Sequence, residues 1–185
     1  MDRLFAFIIG ILVAMHIIDR GGNGVGTPIR RYKFKKQKGK FKPLDDSFID
    51  MREKRLGDIS RLSDKSGVIE LILSTNKISD VSPLASLSDL KRLYLDHNRI
   101  SDLSPLSALS NLEQLFISYN QISDISVLSG FSHLETLDVS NNLVEDFSPL
   151  YELKELRVLK LRGNTVSDEQ LKELKTRLRN CQIYI

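Results

Sequence analysis

The sequence predicts an α/β solenoid, a stack of small strand-and-helical-turn units that share one core. Three observations predict it. Asn76, Asn98, Asn120, Asn142 and Asn164 stand 22 residues apart, and a fixed period of that size marks a repeat architecture. An alternating apolar pair precedes each Asn: Leu71/Leu73, Leu93/Leu95, Leu115/Ile117, Leu137/Val139 and Leu159/Leu161. The 185 residues hold 29 Leu and 21 Ser against 13 aromatics and no Trp, a list too lopsided for an irregular core. Composition also excludes some chemistry. The single cysteine, Cys181, rules out a disulfide framework within the chain. His16, His97 and His133 lie far apart, so no dedicated metal site is expected.

Taken in order, residues 1–20 are expected to form an N-terminal hydrophobic helix. Residues 4–18 are apolar except for His16. Fifteen helical residues span about 22 Å, short of a hydrocarbon core of roughly 30 Å. Snorkelling of Arg3 and Arg20 and local thinning can close that gap. We read the segment as an uncleaved membrane anchor. A secretory signal is the alternative, but the first three residues are barely positive and no small-residue cleavage site follows. A helix buried in a partner assembly is the third reading.

Residues 21–44 read as a Gly-rich hinge and a polybasic linker. Gly22, Gly24 and Gly26 do not make a dinucleotide fingerprint, because no strand precedes them. Arg30, Arg31, Lys33, Lys35, Lys36 and Lys38 follow, interleaved with Tyr32 and Phe34. Directly after a membrane segment this composition suits anionic headgroups; a protein partner comes second, and nucleic acid is set aside. Residues 1–42 carry a charge of +8 and residues 43–185 a charge of −5. With nine Lys/Arg and no acid between residues 20 and 42, the positive-inside bias puts the repeat domain in the cytoplasm. The alternative is export.

Residues 45–185 are the repeat domain. A degenerate first unit, 45–66, carries Ile49, Met51, Leu56, Asp58, Ile59 and Leu62 at matching offsets. Regular units fill 67–176, and 177–185 close the stack. The alternating apolar pair suits a strand with one buried face. The Asn amide both donates and accepts, so stacked Asn side chains can satisfy the turns of neighbouring units. Ser82-Pro83, Ser104-Pro105 and Ser148-Pro149 are read as a helix cap followed by Pro at the first helical position. A single unit cannot bury its own apolar side, so stacking supplies the core.

The units DLKRLYLDHNRISDLSPLSALS and NLEQLFISYNQISDISVLSGFS resemble the 22-residue leucine-rich repeats of bacterial internalins and phosphatase-regulator proteins. The resemblance implies a curved solenoid with a concave parallel β-sheet and short convex helices. It also implies protein binding without a shared catalytic site or cofactor. A calcium ladder on the repeated Asp is set aside, since one acid per unit falls short of six to eight oxygens. On this pattern Ile72, Tyr94, Phe116, Asp138 and Lys160 occupy the strand centres, with His97 and Tyr119 beside them. Ile72, Tyr94, Phe116 and Tyr119 are expected to form one exposed apolar strip, the candidate protein-binding site. The combined reading is a membrane-anchored adaptor. Its rivals are a structural subunit of a larger membrane assembly, an exported internalin-like binder and an enzyme-regulatory subunit.

Overall fold

A computed structural model describes residues 47–185. Seven strands pair in chain order into one parallel sheet: β1 (Phe48–Asp50), β2 (Glu70–Ile72), β3 (Arg92–Tyr94), β4 (Gln114–Phe116), β5 (Thr136–Asp138), β6 (Val158–Lys160) and β7 (Gln182–Tyr184). The period becomes the register. Leu71 lies opposite Leu93, then Leu115, Leu137 and Leu159. The degenerate unit joins through Ile49 opposite Leu71, and Ile183 of β7 lies opposite Leu159. These leucines are fully buried, as are their partners two residues on from Leu73 to Val139, while Leu161 is 1% exposed. One contiguous apolar cluster runs from Ile59 to Leu178.

The expected short helices are 3₁₀ turns at Ser60–Leu62, Ser82–Leu84, Ser104–Ala108, Ser126–Gly130 and Ser148–Leu150, with one α-helix, α1, at Asp168–Arg177. The expected serine caps are corrected here. Ser82, Ser104 and Ser148 lie inside the turns, whose caps are Val81, Leu103 and Phe147 and offer no side-chain bond. The repeated Asp does that work. Oδ1 of Asp80, Asp102, Asp124 and Asp146 accepts the backbone N–H of Ser82, Ser104, Ser126 and Ser148, each at 2.8 Å. That is an Asx turn, a local closure Asp makes readily. The bond from the Ser N–H holds the carboxyls of Asp58, Asp80 and Asp124 below the usual range. Among the described residues a true capping box appears only at α1, where Ser167 and Gln170 bond reciprocally.

The Asn ladder matches expectation. Asn142 Nδ2 donates to the carbonyls of Ile117 and Val139, and its Oδ1 accepts the Ile122 N–H. Asn120 and Asn98 repeat the arrangement one and two units earlier. The residue before each Asn sits in the left-handed region: φ is 59° at Thr75, 54° at His97 and Tyr119, 53° at Asn141 and 77° at Gly163. Gly163 has a second reason to lack a side chain, since a Cβ there would lie 2.5 Å from Asn141 Oδ1. The predicted N-terminal helix (1–20) and basic linker (21–44), with Arg30, Arg31, Lys33, Lys35, Lys36 and Lys38, lie outside the described residues. Among the described residues no helix is long and apolar enough to cross a membrane.

Candidate protein-binding face

Side chains alternate between faces along a strand, so the residue between two buried leucines points away from the core. The register then stacks these residues. Ile72, Tyr94, Phe116, Asp138 and Lys160 form one column across β2 to β6. Two residues further along each unit come Ser74, Asp96, Ser118, Ser140 and Arg162, and then the left-handed rim of Thr75, His97, Tyr119, Asn141 and Gly163. The seven predicted protein-binding residues therefore fall in two columns, the strand centres and the rim, with the Ser74–Arg162 column between them.

Their exposure differs from expectation. The Tyr94 and Phe116 rings stack with centroids 4.8 Å apart and planes within 1°. Neighbouring strands lie roughly 4.7–4.9 Å apart, so the register sets the ring separation and lays one ring flat on the next. Phe116 is only 7% exposed and belongs to the buried set, as does Asp138. The continuous exposed strip is thus broken at Phe116, because a column packs laterally as well as inward. Asp138 Oδ2 lies 3.6 Å from Lys160 Nζ, and its Oδ1 accepts the Ser140 N–H at 3.1 Å. Burial pushes the Tyr94 hydroxyl up to about 12, with Glu70 adding to the shift.

Exposed large apolar side chains stand at Tyr119 on the rim and at Leu143 two residues past its unit's rim position, besides Phe48, Ile69, Tyr184 and Ile185 towards the two ends of the repeat domain. Tyr119 is 51% exposed and Leu143 is 63% exposed. His97 stacks on Tyr119 at 4.3 Å, the planes 10° apart. Leu143 escaped the sequence reading, although a signal existed: its equivalents are Lys77, Arg99, Gln121 and Thr165, all polar. Asp96 lies at a position the repeat pattern turns to the same face, as the one acid in a column otherwise mostly serine. Its Oδ1 accepts the Ser118 hydroxyl at 2.8 Å and the Ser118 N–H at 3.1 Å, and its Oδ2 accepts the Ser74 hydroxyl at 3.3 Å. Burial nevertheless raises the Asp96 carboxyl above its ordinary range.

Two clefts follow the loops that enter the strands, lined by Lys91, Glu113, His133, Glu135, Glu155 and Arg157 among others. Their charged walls, crossed by ion pairs such as Lys91–Glu113 at 2.6 Å, offer little apolar surface to a small molecule. Among the described residues no group of three or more His, Cys, Asp or Glu is placed to hold a metal ion. Cys181 is half-buried, and burial pushes its thiol up to about 11, away from nucleophilic use.

A family model described as leucine-rich repeats in two copies matches residues 66–108 and 110–152. No curated protein matches the chain. Among solved structures, internalin C2 of Listeria monocytogenes is 38% identical with a TM-score of 0.65, the match covering 70% of this chain and 55% of that one. The internalin inlF of the same organism is 27% identical with a TM-score of 0.57, covering 70% of this chain and 44% of that one. A leucine-rich-repeat protein of Leptospira interrogans, 23% identical with a TM-score of 0.52, covers 64% and 37% and shares the fold. The chain spans about half the length of the internalins it matches. With the 22-residue register and the Asn ladder, these matches place the chain in the leucine-rich-repeat family, in likeness to bacterial internalins.

Proposed function

We propose that the chain is a non-catalytic adaptor that binds a protein partner through the sheet face and its adjoining rim. The observation that carries this reading is the rim itself. Tyr119 is half exposed and held in a backbone region that L-residues avoid, costing on the order of 1–2 kcal/mol. It gains only a stack on His97, and Leu143 stands bare in the next unit. Large side chains displayed at a cost to folding suit burial in a partner. We further read residues 4–18 as the membrane anchor and Arg30 to Lys38 as a patch on anionic headgroups, which would present this face beside a membrane.

A Tyr94→Ala/Tyr119→Ala variant tests the reading. It should stay folded, with a melting temperature lowered by roughly 2–8 °C as the Tyr94–Phe116 stack is lost, and lose the partner recovered by cross-linking and mass spectrometry from solubilised membranes. An unchanged partner list would move the contact to the helical-turn side. The likeness to internalins favours a second reading, an exported binder of the same face, which topology distinguishes.

A further inference from the structure

We propose that the sheet face receives a basic side chain, Lys or Arg, of the partner protein, with its cation set against Asp96 and its stem along Tyr94 and Tyr119. The proposal rests on the protein-binding reading and adds the chemistry of the partner.

Most acids of the face are paired with a cation. Asp50 pairs with Arg52 at 2.9 Å, Glu70 with Arg92 at 2.8 Å and Asp138 with Lys160 at 3.6 Å. Asp96 differs. Its hydrogen bonds come from Ser74 and Ser118, and among the described residues no cation pairs with it. Asp138 adds a repulsion at Asp96, while Lys160 is already engaged by Asp138. Within the group Asp96, Asp138 and Lys160, with Arg162 three strands from Asp96 along the same column, two carboxylates face one ammonium, a local surplus of one negative charge in a half-buried setting. Such a charge is costly unless it is paired, and a single cation from outside relieves it.

The surroundings select what carries that cation. A bare divalent ion seeks six to eight oxygens, whereas both Asp96 oxygens already accept bonds and Ser74 and Ser118 supply only hydroxyls and amide. A side chain requires less. Tyr94, two residues earlier on the same face of the strand, and the exposed Tyr119 offer ring surface for a Lys or Arg stem. His97 is stacked on Tyr119 beside them.

The test titrates the full, ¹⁵N-labelled chain with N-acetyl-arginine methylamide and with its neutral isostere, N-acetyl-citrulline methylamide, following amide shifts. The arginine probe should shift Asp96 and Ser118 saturably, and citrulline should not. Asp96→Asn should weaken the response about tenfold or more, and Asp89→Asn, an exposed acid elsewhere, should leave it unchanged. Equal shifts from both probes, or an undiminished response in Asp96→Asn, would overturn the proposal. If that happens while Tyr94→Ala/Tyr119→Ala still loses its partner, the face stands and only the cation is wrong. If the double variant keeps its partner, the face itself fails and the proposal falls with it.

Discussion

Single residues on this scaffold act through their neighbours 22 positions away, and Asp96 makes that measurable. In the unfolded chain its carboxyl titrates near 3.8. In the folded chain burial raises that value, opposed by the Ser118 hydroxyl and assisted by Asp138, with Lys160 beyond. The folded state therefore holds this proton to higher pH than the unfolded state does. Stability from this group is complete below the unfolded value and declines as pH rises through the folded one. Asp96→Asn removes the dependence. Its melting temperature relative to wild type should rise between pH 4 and pH 7, and an offset that stays constant over that range would contradict the assignment. Phe116 carries the same lesson in packing: its own position in the repeat reads as exposed, and Tyr94 on the neighbouring strand covers it.

At the scale of the element, each unit combines a leucine layer with an amide clamp, and the two fail differently. Leu115 is fully buried in β4 between Leu93 and Leu137. Leu115→Ala should cost about 2–5 kcal/mol, from lost transfer energy and the cavity left behind. Asn142→Ala leaves the Ile122 N–H and two carbonyls without their amide, which should cost about 1–3 kcal/mol. Chemical denaturation checks both, and wild-type midpoints for the pair would show the register to be wrong. That register was legible in the sequence because the leucine and Asn spacing is dictated by the core and the turn. The Asx turn was not, because Ser-Pro carries a strong capping signal that outweighs the Asp two residues earlier. The left-handed rim was hidden for a related reason. Thr75 and Tyr119 are side chains that rarely take positive φ, and only His97, Asn141 and Gly163 announce it.

For the whole molecule, the outstanding contrast is between a basic N-terminal stretch and an acidic repeat domain. The proposed topology makes a direct prediction. A fluorescent protein fused after Ile185 should fluoresce in the cytoplasm of a bacterial host, and the mature chain should begin at residue 1 or 2. Activity of an alkaline phosphatase fused at the same point, or an N-terminus near residue 20, would establish the exported reading instead. The binding face was legible as a list of positions, since alternation and period place Ile72, Tyr94, Phe116, Asp138 and Lys160 in one column. Which of them meet solvent was not legible, because that depends on lateral packing between strands.

The Asn clamps also have a direction. Each one reaches backward: Asn98 serves Leu73 and Ile78, Asn120 serves Leu95 and Ile100, and Asn142 serves Ile117 and Ile122. A loop is therefore finished by the unit that follows it in the chain. During synthesis from the N-terminus, every loop waits for the next 22 residues to emerge before its backbone is satisfied. Shortening is asymmetric for the same reason. Removing a unit from the front deprives only the next Asn of the loop it served and leaves every remaining loop closed, whereas removing one from the back reopens the loop before it.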